Sequence, residues 1–148
     1  EHGVKACIGN FATGCPSLNA SMVEAFFPAI KAAKEQYNGI LGLHEYSAPW
    51  LNTWYNETTG LGWLTGRYHR LYEQYLEPNN LVIPLVITEM GIDGQVGSNT
   101  TPNVGGWTDF CSYWSQNGGL SDCDQEYTNQ LAWYDSIMLQ DSYMLGAT

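Results

Sequence analysis

The sequence predicts an α/β fold in which parallel strands alternate with helices. Short apolar runs of the kind found in buried strands begin near Val4, Gly39, Leu81 and Met144. Between these runs lie segments whose apolar residues recur at helical spacing. Parallel strands need long crossover connections, so this alternation favours a parallel sheet covered by helices.

The first strand and helix are predicted within residues 4–37. The stretch "VKACIGNFATG" begins as a short apolar strand and ends in turn residues. In residues 21–37 we expect Ser21 to cap a helix, with Glu24 completing a capping box. Pro28 lies inside this helical pattern and should kink the helix or delay its start.

The rest of the chain continues the alternation. A second strand is predicted over residues 39–49, a helix over 63–78 and a third strand over 81–90. The unbroken apolar character of the third strand predicts burial on both faces. A loop of about thirty residues follows, which is long enough for a functional insertion. A last helix over 124–143, capped by Asp124, precedes "MLGAT", the start of another strand.

Two architectures fit this order of elements. An open doubly wound sheet usually carries a glycine-rich phosphate loop after its first strand, and "GNFATG" does not match that pattern. A complete (β/α)8 barrel needs about 250 residues. Four strands in a single domain of 148 residues would form about half of such a barrel. We therefore expect a partial TIM barrel over residues 1–148.

The composition excludes several partners. The formal net charge is −10, which repels polyanions and argues against nucleic acid. No stretch approaches the roughly 20 apolar residues of a membrane helix. These features favour a secreted, soluble protein that acts on a neutral substrate.

The four cysteines match no zinc-binding spacing. Cys111 and Cys123 flank a polar, glycine-containing segment, so we favour a disulfide between them. Cys7 lies in an apolar strand and is expected to be a buried thiol, although a bridge to Cys15 is also possible.

Three N-glycosylation sequons begin at Asn19, Asn56 and Asn99. All three fall in predicted loops or helix starts. Together with the cysteines they favour an extracellular, glycosylated protein.

Candidate functional residues follow from the fold, because functional groups of parallel α/β proteins gather at the carboxyl ends of the strands. Glu89 ends an apolar strand, where a carboxylate is costly unless it is solvated or hydrogen-bonded. The competing interpretation is that Glu89 caps the next turn or pairs with an arginine.

The second strand supplies His44 and Tyr46, which share one face because side chains alternate along a strand. Tyr46 could donate its hydroxyl to Glu89 and keep that carboxylate ionised. The alternative is a core His–Tyr pair satisfied by the backbone. Glu45 points the other way, towards the helices, and is only a second candidate acid. Asn10, at the end of the first strand, is expected either to bind a substrate hydroxyl or to organise its turn.

Tryptophans in the loops are candidate sugar platforms, since large aromatic rings combine an apolar face with a polar edge. Trp50 and Trp107 are the expected substrate contacts, and about two of the loop residues Trp54, Trp63, Trp107 and Trp114 are expected to face a cleft. The alternative for these loop residues is packing within the loops. The motifs GxSxG, HExxH, GK[ST] and GxGxxG are absent. The three histidines do not form a metal set, so neither a metal nor another cofactor is predicted.

The stretches "GLHEYSAP" and "PLVITEMGID" resemble strands six and seven of the clan-A glycoside hydrolases, the retaining (β/α)8 barrels. The resemblance implies that Glu89 is the nucleophile, that the Tyr46 hydroxyl contacts it, and that His44 accompanies them. By the same resemblance "VKACIGNFATG" is similar to strand five and "MLGAT" to strand eight. The substrate it implies is a β-linked oligo- or polysaccharide.

One part of that pattern is missing. The acid/base glutamate of the clan follows an asparagine at the end of strand four, and no Asn-Glu-Pro motif of that kind occurs. Glu1 is predicted to end the helix before strand five. The chain is therefore expected to be a half barrel that is inactive alone and that self-associates through its exposed edges. The alternatives are a non-catalytic carbohydrate-binding domain and an unrelated open-sheet domain with a structural Glu89.

Overall fold

The computed structural model describes residues 4–96 and 105–148. Glu1, predicted to end a helix, and the sequon at Asn99 lie outside the described residues.

Four parallel strands form the main sheet of the molecule. Their order in the sheet is also their order along the chain, so successive strands are neighbours and every pairing is parallel. The strands are β1 (Cys7–Phe11), β2 (Ile40–Ser47), β5 (Leu85–Ile92) and β6 (Met144–Ala147). The predicted parallel α/β sheet is confirmed. Its strand order shows no reversal of the kind that marks a doubly wound sheet.

A small antiparallel hairpin, which the sequence did not predict, lies in the connection after β2. It consists of β3 (Tyr55–Asn56) and β4 (Leu61–Gly62). The helical segments are α1 (Ala20–Glu24), α2 (Phe27–Gln36), α3 (Arg67–Leu71) with a π-helical turn (Tyr72–Leu76), a 3-10 turn (Trp107–Phe110), α4 (Cys111–Gln116) and α5 (Cys123–Met138).

The helix predicted over residues 21–37 is broken into α1 and α2. Pro28 lies in the first turn of α2, as expected of a residue that cannot continue a preceding helix. The predicted cap at Ser21 is wrong. Asn19 caps α1 by accepting a hydrogen bond from the Met22 amide, because its side chain precedes the first helical turn.

The later helix boundaries also differ from the prediction. Helix α3 begins at Arg67, since Gly66 has a left-handed φ of 74° and ends the hairpin segment. Helix α5 is capped by Asp122 rather than Asp124 and ends at Met138. The long connection after β5 contains α4.

One face of the sheet is buried and the other is more open. Leu41, Leu43, Leu85 and Ile87 are 0–5% exposed, and they pack with apolar residues of the helices. The alternate residues of β5, such as Val86, are only half-buried. Burial of this strand on both faces was therefore predicted wrongly, because the helices cover a single face.

Helix α3 and the segment before β6 are joined by hydrogen bonds. Asp141 accepts one hydrogen bond from the Tyr68 hydroxyl at 2.7 Å and contacts His69 Nε2 at 2.8 Å. The rings of Tyr72 and Tyr143 stack with their centroids 4.0 Å apart. These contacts fix the helical layer against the end of the described chain.

The predicted disulfide between Cys111 and Cys123 is confirmed and joins α4 to α5. Cys7 and Cys15 are free and exposed, so the expectation of a buried thiol at Cys7 is wrong. Cys7 lies on an edge strand of the described sheet, where no further strand covers it. Among the helices within residues 4–96 and 105–148, none is long and apolar enough to cross a membrane.

Candidate active site

The candidate site lies where β2 and β5 end side by side. Leu43 pairs with Ile87, but the next residue of β2, His44, pairs with Glu89. Thr88 is the extra residue of a β-bulge. Since side chains alternate along a strand, this extra residue turns Glu89 to the face that carries His44.

Two side chains of β2 meet the Glu89 carboxylate. The Tyr46 hydroxyl donates to Glu89 Oε2 over 3.3 Å, and His44 Nδ1 lies 3.2 Å from the same oxygen. The Glu89 side chain is 52% exposed, so the carboxylate is both oriented and open to solvent. Placing a carboxylate at the end of an apolar strand costs free energy. Exposure to solvent and the contacts with Tyr46 and His44 offset that cost.

Asn10 completes the group from the end of β1. Its Oδ1 lies 3.2 Å from His44 Nε2 and accepts a hydrogen bond from the Thr88 hydroxyl. Asn10 has a left-handed φ of 48°, which asparagine tolerates better than most residues. His44 therefore has an oxygen beside each ring nitrogen. A neutral imidazole can donate to one of them and an imidazolium to both.

Tyr46 is held as a donor. Burial, followed by the charge of Glu89 and the hydrogen bond to it, raises the pKa of the Tyr46 phenol above its ordinary value of 10.0. The phenol therefore keeps its proton at neutral pH and remains a hydrogen-bond donor to Glu89. The Tyr46 backbone N–H donates to Thr13 Oγ1 at 3.1 Å, which ties the end of β2 to the loop after β1.

Glu45 lies on the opposite face and is 1% exposed. Its carboxylate accepts hydrogen bonds from the Gly66 amide at 2.6 Å, the Tyr68 amide at 2.7 Å and the Tyr134 hydroxyl at 2.6 Å. Burial raises the pKa of Glu45 to about 7, although these three donors act in the other direction. Glu45 joins β2 to α3 and α5 and lies on the helix-facing side, as the alternation predicts.

Trp107 packs against Tyr127, a residue near the site that the sequence analysis did not single out. The rings of Trp107 and Tyr127 are stacked, with centroids 5.0 Å apart and planes 6° apart. A side chain at Gly91 would meet the Tyr127 hydroxyl at 3.1 Å and the Tyr46 ring at 3.7 Å. The glycine thus lets Tyr127 approach Tyr46, and Trp107 lies behind Tyr127.

The other tryptophans separate into distinct environments. Trp50 packs against Tyr113, with centroids 5.5 Å apart, and lines a groove with residues of α5. Trp114 is fully buried and donates its indole N–H to the Pro49 carbonyl at 2.7 Å, so it is a core residue. Trp54 and Trp63, on the hairpin, are 57% and 54% exposed.

Thr88 and Tyr127 are the site residues that sequence reasoning missed. Alternation along β5 places Thr88 on the face opposite Ile87, but no local pattern in "LVITEMG" marks its contact with Asn10. Tyr127 lies some forty residues after Glu89 in the chain, and a single sequence gives no signal for that contact.

Within the described ranges, no group of three or more His, Cys, Asp and Glu side chains is arranged to hold a metal ion. Comparison with models of known protein families, with curated proteins and with solved structures found no match. The site is thus defined by its geometry: an open carboxylate bound by a phenol and an imidazole at the carboxyl ends of adjacent parallel strands.

Proposed function

We propose that this chain is part of a secreted retaining glycoside hydrolase of clan A in which Glu89 is the nucleophile. The observation that carries the proposal is the meeting of Tyr46 and His44 on one oxygen of Glu89. The three residues belong to the two motifs that resemble strands six and seven of that clan. A capping or arginine-paired role for Glu89 has less support, because its side-chain partners among the described residues are a phenol and an imidazole.

The chemistry requires an ionised and accessible carboxylate. Glu89 attacks the anomeric carbon and forms a glycosyl ester, while the bond to the leaving oxygen breaks and that oxygen takes a proton from an acid. Water then attacks the same carbon, gives its proton to the conjugate base of that acid and releases Glu89. The hydrogen bond from the Tyr46 hydroxyl holds Glu89 Oε2 in place for the first step.

The second carboxyl group should lie about 5.5 Å from the first in a retaining enzyme. Asp93 is a nearby acidic residue, since its charge contributes to the raised pKa of Tyr46. However, Asp93 Oδ1 accepts a hydrogen bond from the Gln95 amide at 2.8 Å and forms a turn. We therefore assign the acid/base role to a residue of a further half barrel, with the present strands in positions five to eight.

The acidic surface and the aromatic loops support a neutral glycan as substrate. A net charge of −10 disfavours anionic polymers, and the disulfide fits an extracellular location. Trp107, stacked on Tyr127 beside Tyr46, is the tryptophan best placed to contact a bound sugar.

The proposal is tested by assaying the 148 residues on aryl β-glycosides beside the Glu89→Gln and Asp93→Asn variants. We expect no hydrolysis above background from the chain alone, because it lacks the acid/base group. Hydrolysis that Asp93→Asn removes would instead assign the acid to this chain. Hydrolysis that survives Glu89→Gln would contradict the proposed nucleophile.

A non-catalytic carbohydrate-binding domain is the second candidate. It is favoured by the two exposed indoles of Trp54 and Trp63, the latter with the Arg70 guanidinium 4.2 Å from its ring centroid. If binding is the function, Glu89→Gln should leave glycan affinity unchanged, and no glycoside should be cleaved by the full-length protein.

A further inference from the structure

A groove separate from Glu89 lies between the segment after β2 and one side of α5. Its volume is about 450 Å³, which is within the range of small-ligand sites. Trp50 and Asn52 form one wall, and Glu126, Asn129, Gln130 and Trp133 form the other.

The α5 residues of the groove follow helical spacing and are centred on a side of α5 next to the one that carries Tyr127. Tyr127 reaches Gly91 beside Tyr46. Glu126 is its neighbour in sequence, so the two side chains point about 100° apart around the helix. Gln130 and Trp133 continue the stripe of Glu126. The groove therefore opens on a different side of α5 from the side that meets Tyr46.

The two tryptophan rings are fixed before any ligand arrives. Trp133 donates its indole N–H to Glu57 Oε1 at 3.2 Å and packs edge-on against Tyr55, with centroids 5.2 Å apart. Trp50 rests on Tyr113. Both rings are only half-buried. Rigid, partly exposed indoles suit the apolar face of a ring-shaped ligand, because little side-chain entropy is lost on binding.

Two amide side chains of the groove keep N–H groups that have no hydrogen-bond acceptor among the described residues. Gln130 is 8% exposed; its Oε1 accepts from the Leu51 amide at 3.0 Å and its Nε2 donates one proton to Glu126 Oε1 at 2.9 Å. An amide nitrogen carries two protons, so the second remains available. Asn129 uses its Oδ1 to accept from Gln125, which leaves its own NH₂ group available.

The lining selects a neutral ligand. The protein is strongly acidic, and Glu126 and Glu57 lie at the groove or beside it, so an anion is disfavoured. Glu126 keeps its negative charge, but its Oε1 and Oε2 are held by hydrogen bonds from Gln130 and from the Leu120 amide at 2.9 Å, and titration with choline chloride tests a cationic ligand directly. Indole faces combined with amide donors match a sugar ring, which has an apolar face and an equatorial rim of hydroxyls.

We propose that this groove is a second glycan-binding site, distinct from the Glu89 site. It holds a neutral oligosaccharide by stacking on Trp50 and Trp133 and by hydrogen bonds from Asn129 and Gln130. The choice of a β-linked glycan as its ligand rests on the proposed function. The existence of the site rests on the lining alone.

The test is titration of the ¹⁵N-labelled chain with cellohexaose and with laminarihexaose, observing the indole N–H signals. We expect the Trp50 and Trp133 signals to shift.

Trp133→Ala should weaken binding about tenfold by removing one stacking surface. Because Trp133 also packs on Tyr55, the exposed Asn129→Ala variant provides a second measurement, with an expected loss of about threefold for one hydrogen bond. Ser136→Ala, an exposed residue of α5 outside the groove lining, is the matched control and should bind like the unmodified chain.

Shifts confined to Trp107 would overturn the second site while supporting sugar binding near Glu89. Shifts at Trp50 and Trp133 that persist in Glu89→Gln would support sugar binding in the groove, even if Glu89 proves not to be a nucleophile. A lack of any shift with either hexasaccharide, or shifts at these indoles with choline chloride instead, would contradict the proposal.

Discussion

The Tyr46 hydroxyl donates to Glu89 Oε2 across 3.3 Å, although the two residues are 43 positions apart in sequence. The contact exists because β2 and β5 are parallel neighbours and because a bulge at Thr88 turns Glu89 to the face of His44. It links a local irregularity of one strand to the chemistry proposed for the site.

This contact should be visible in the titration of Tyr46. Since burial and the neighbouring carboxylate both raise the pKa of Tyr46, we expect it to lose its proton at a higher pH than an ordinary tyrosine. Glu89→Gln removes the charge, so it should lower the pKa of Tyr46 part of the way, leaving the effect of burial. The measurement is ¹⁹F NMR of the chain labelled with 3-fluorotyrosine, with Tyr46→Phe to assign the signal. An unchanged titration in Glu89→Gln would show that the two groups do not interact.

The buried Glu45 should make stability depend on pH. Its pKa is raised from 4.5 to about 7 in the folded chain, so the folded state holds a proton that the unfolded state releases between these values. The associated stabilisation is complete below pH 4.5 and is lost as the pH rises through 7, amounting to about 3 kcal/mol of unfolding free energy.

Urea denaturation from pH 4.5 to 8 measures this dependence. Glu45→Gln cannot ionise and should flatten the profile, even though the substitution lowers stability by disturbing the hydrogen bonds from Gly66 and Tyr134. Glu73→Gln, at an exposed position of the π-helical turn, is the control, and its unfolding free energy should depend on pH as in the unmodified chain. If the unfolding free energy of Glu45→Gln depends on pH as steeply as that of the unmodified chain, Glu45 does not cause the dependence.

The Cys111–Cys123 disulfide should contribute measurably to stability. It closes a short loop with a sequence separation of 12, so breaking it increases the entropy of the unfolded chain and should cost about 3 kcal/mol. Thermal and urea unfolding of Cys123→Ser test this. Cys7→Ser, which replaces an exposed free thiol, is the control and should change little. Equal stability of the two variants would mean that the bond does not constrain the unfolded chain.

The exposed edges of the sheet should drive self-association. Strands β1 and β6 are the edges of the described sheet, and Leu145 of β6 is 61% exposed. Open edges and uncovered apolar side chains favour pairing with another chain. Sedimentation velocity should therefore reveal dimers or larger species that dissociate on dilution.

A lysine placed on the edge strand tests this prediction, because its charge disfavours pairing with another chain. Leu145→Lys should shift the population towards monomer, whereas Leu139→Lys, at a 78% exposed position after α5, should not. A compact monomer at every concentration would count against the half-barrel proposal.

Much of the fold could be predicted from the sequence because it follows local periodicity. The positions of the four main strands and the disulfide followed from apolar runs and cysteine spacing. The break at Pro28 was also expected, because proline acts locally through its ring. The boundaries were less predictable: Asn19 and Asp122 replaced Ser21 and Asp124 as caps, since neighbouring residues of similar chemistry compete for the same role.

The site was predictable only where alternation along β2 decided it. His44, Tyr46 and Glu45 lie on the faces that period-two alternation assigns. Strict alternation in β5 would place Glu89 on the same side as Ile87, and the bulge that changes this has no sequence signal in a single chain. Tyr127 and the groove of Trp50 and Trp133 depend on how a distant helix packs. Local patterns do not specify that packing.

The identity of the nucleophile is the central claim, and covalent trapping tests it most directly. The full-length hydrolase that the proposal implies should be treated with a 2-deoxy-2-fluoro-β-glycoside bearing a dinitrophenyl leaving group. This leaving group departs without protonation, so the ester with the nucleophile accumulates. We predict a single added glycosyl group, located on Glu89 by peptide mapping and absent from Glu89→Gln. Labelling of another carboxylate, with Glu89 unmodified, would contradict the account.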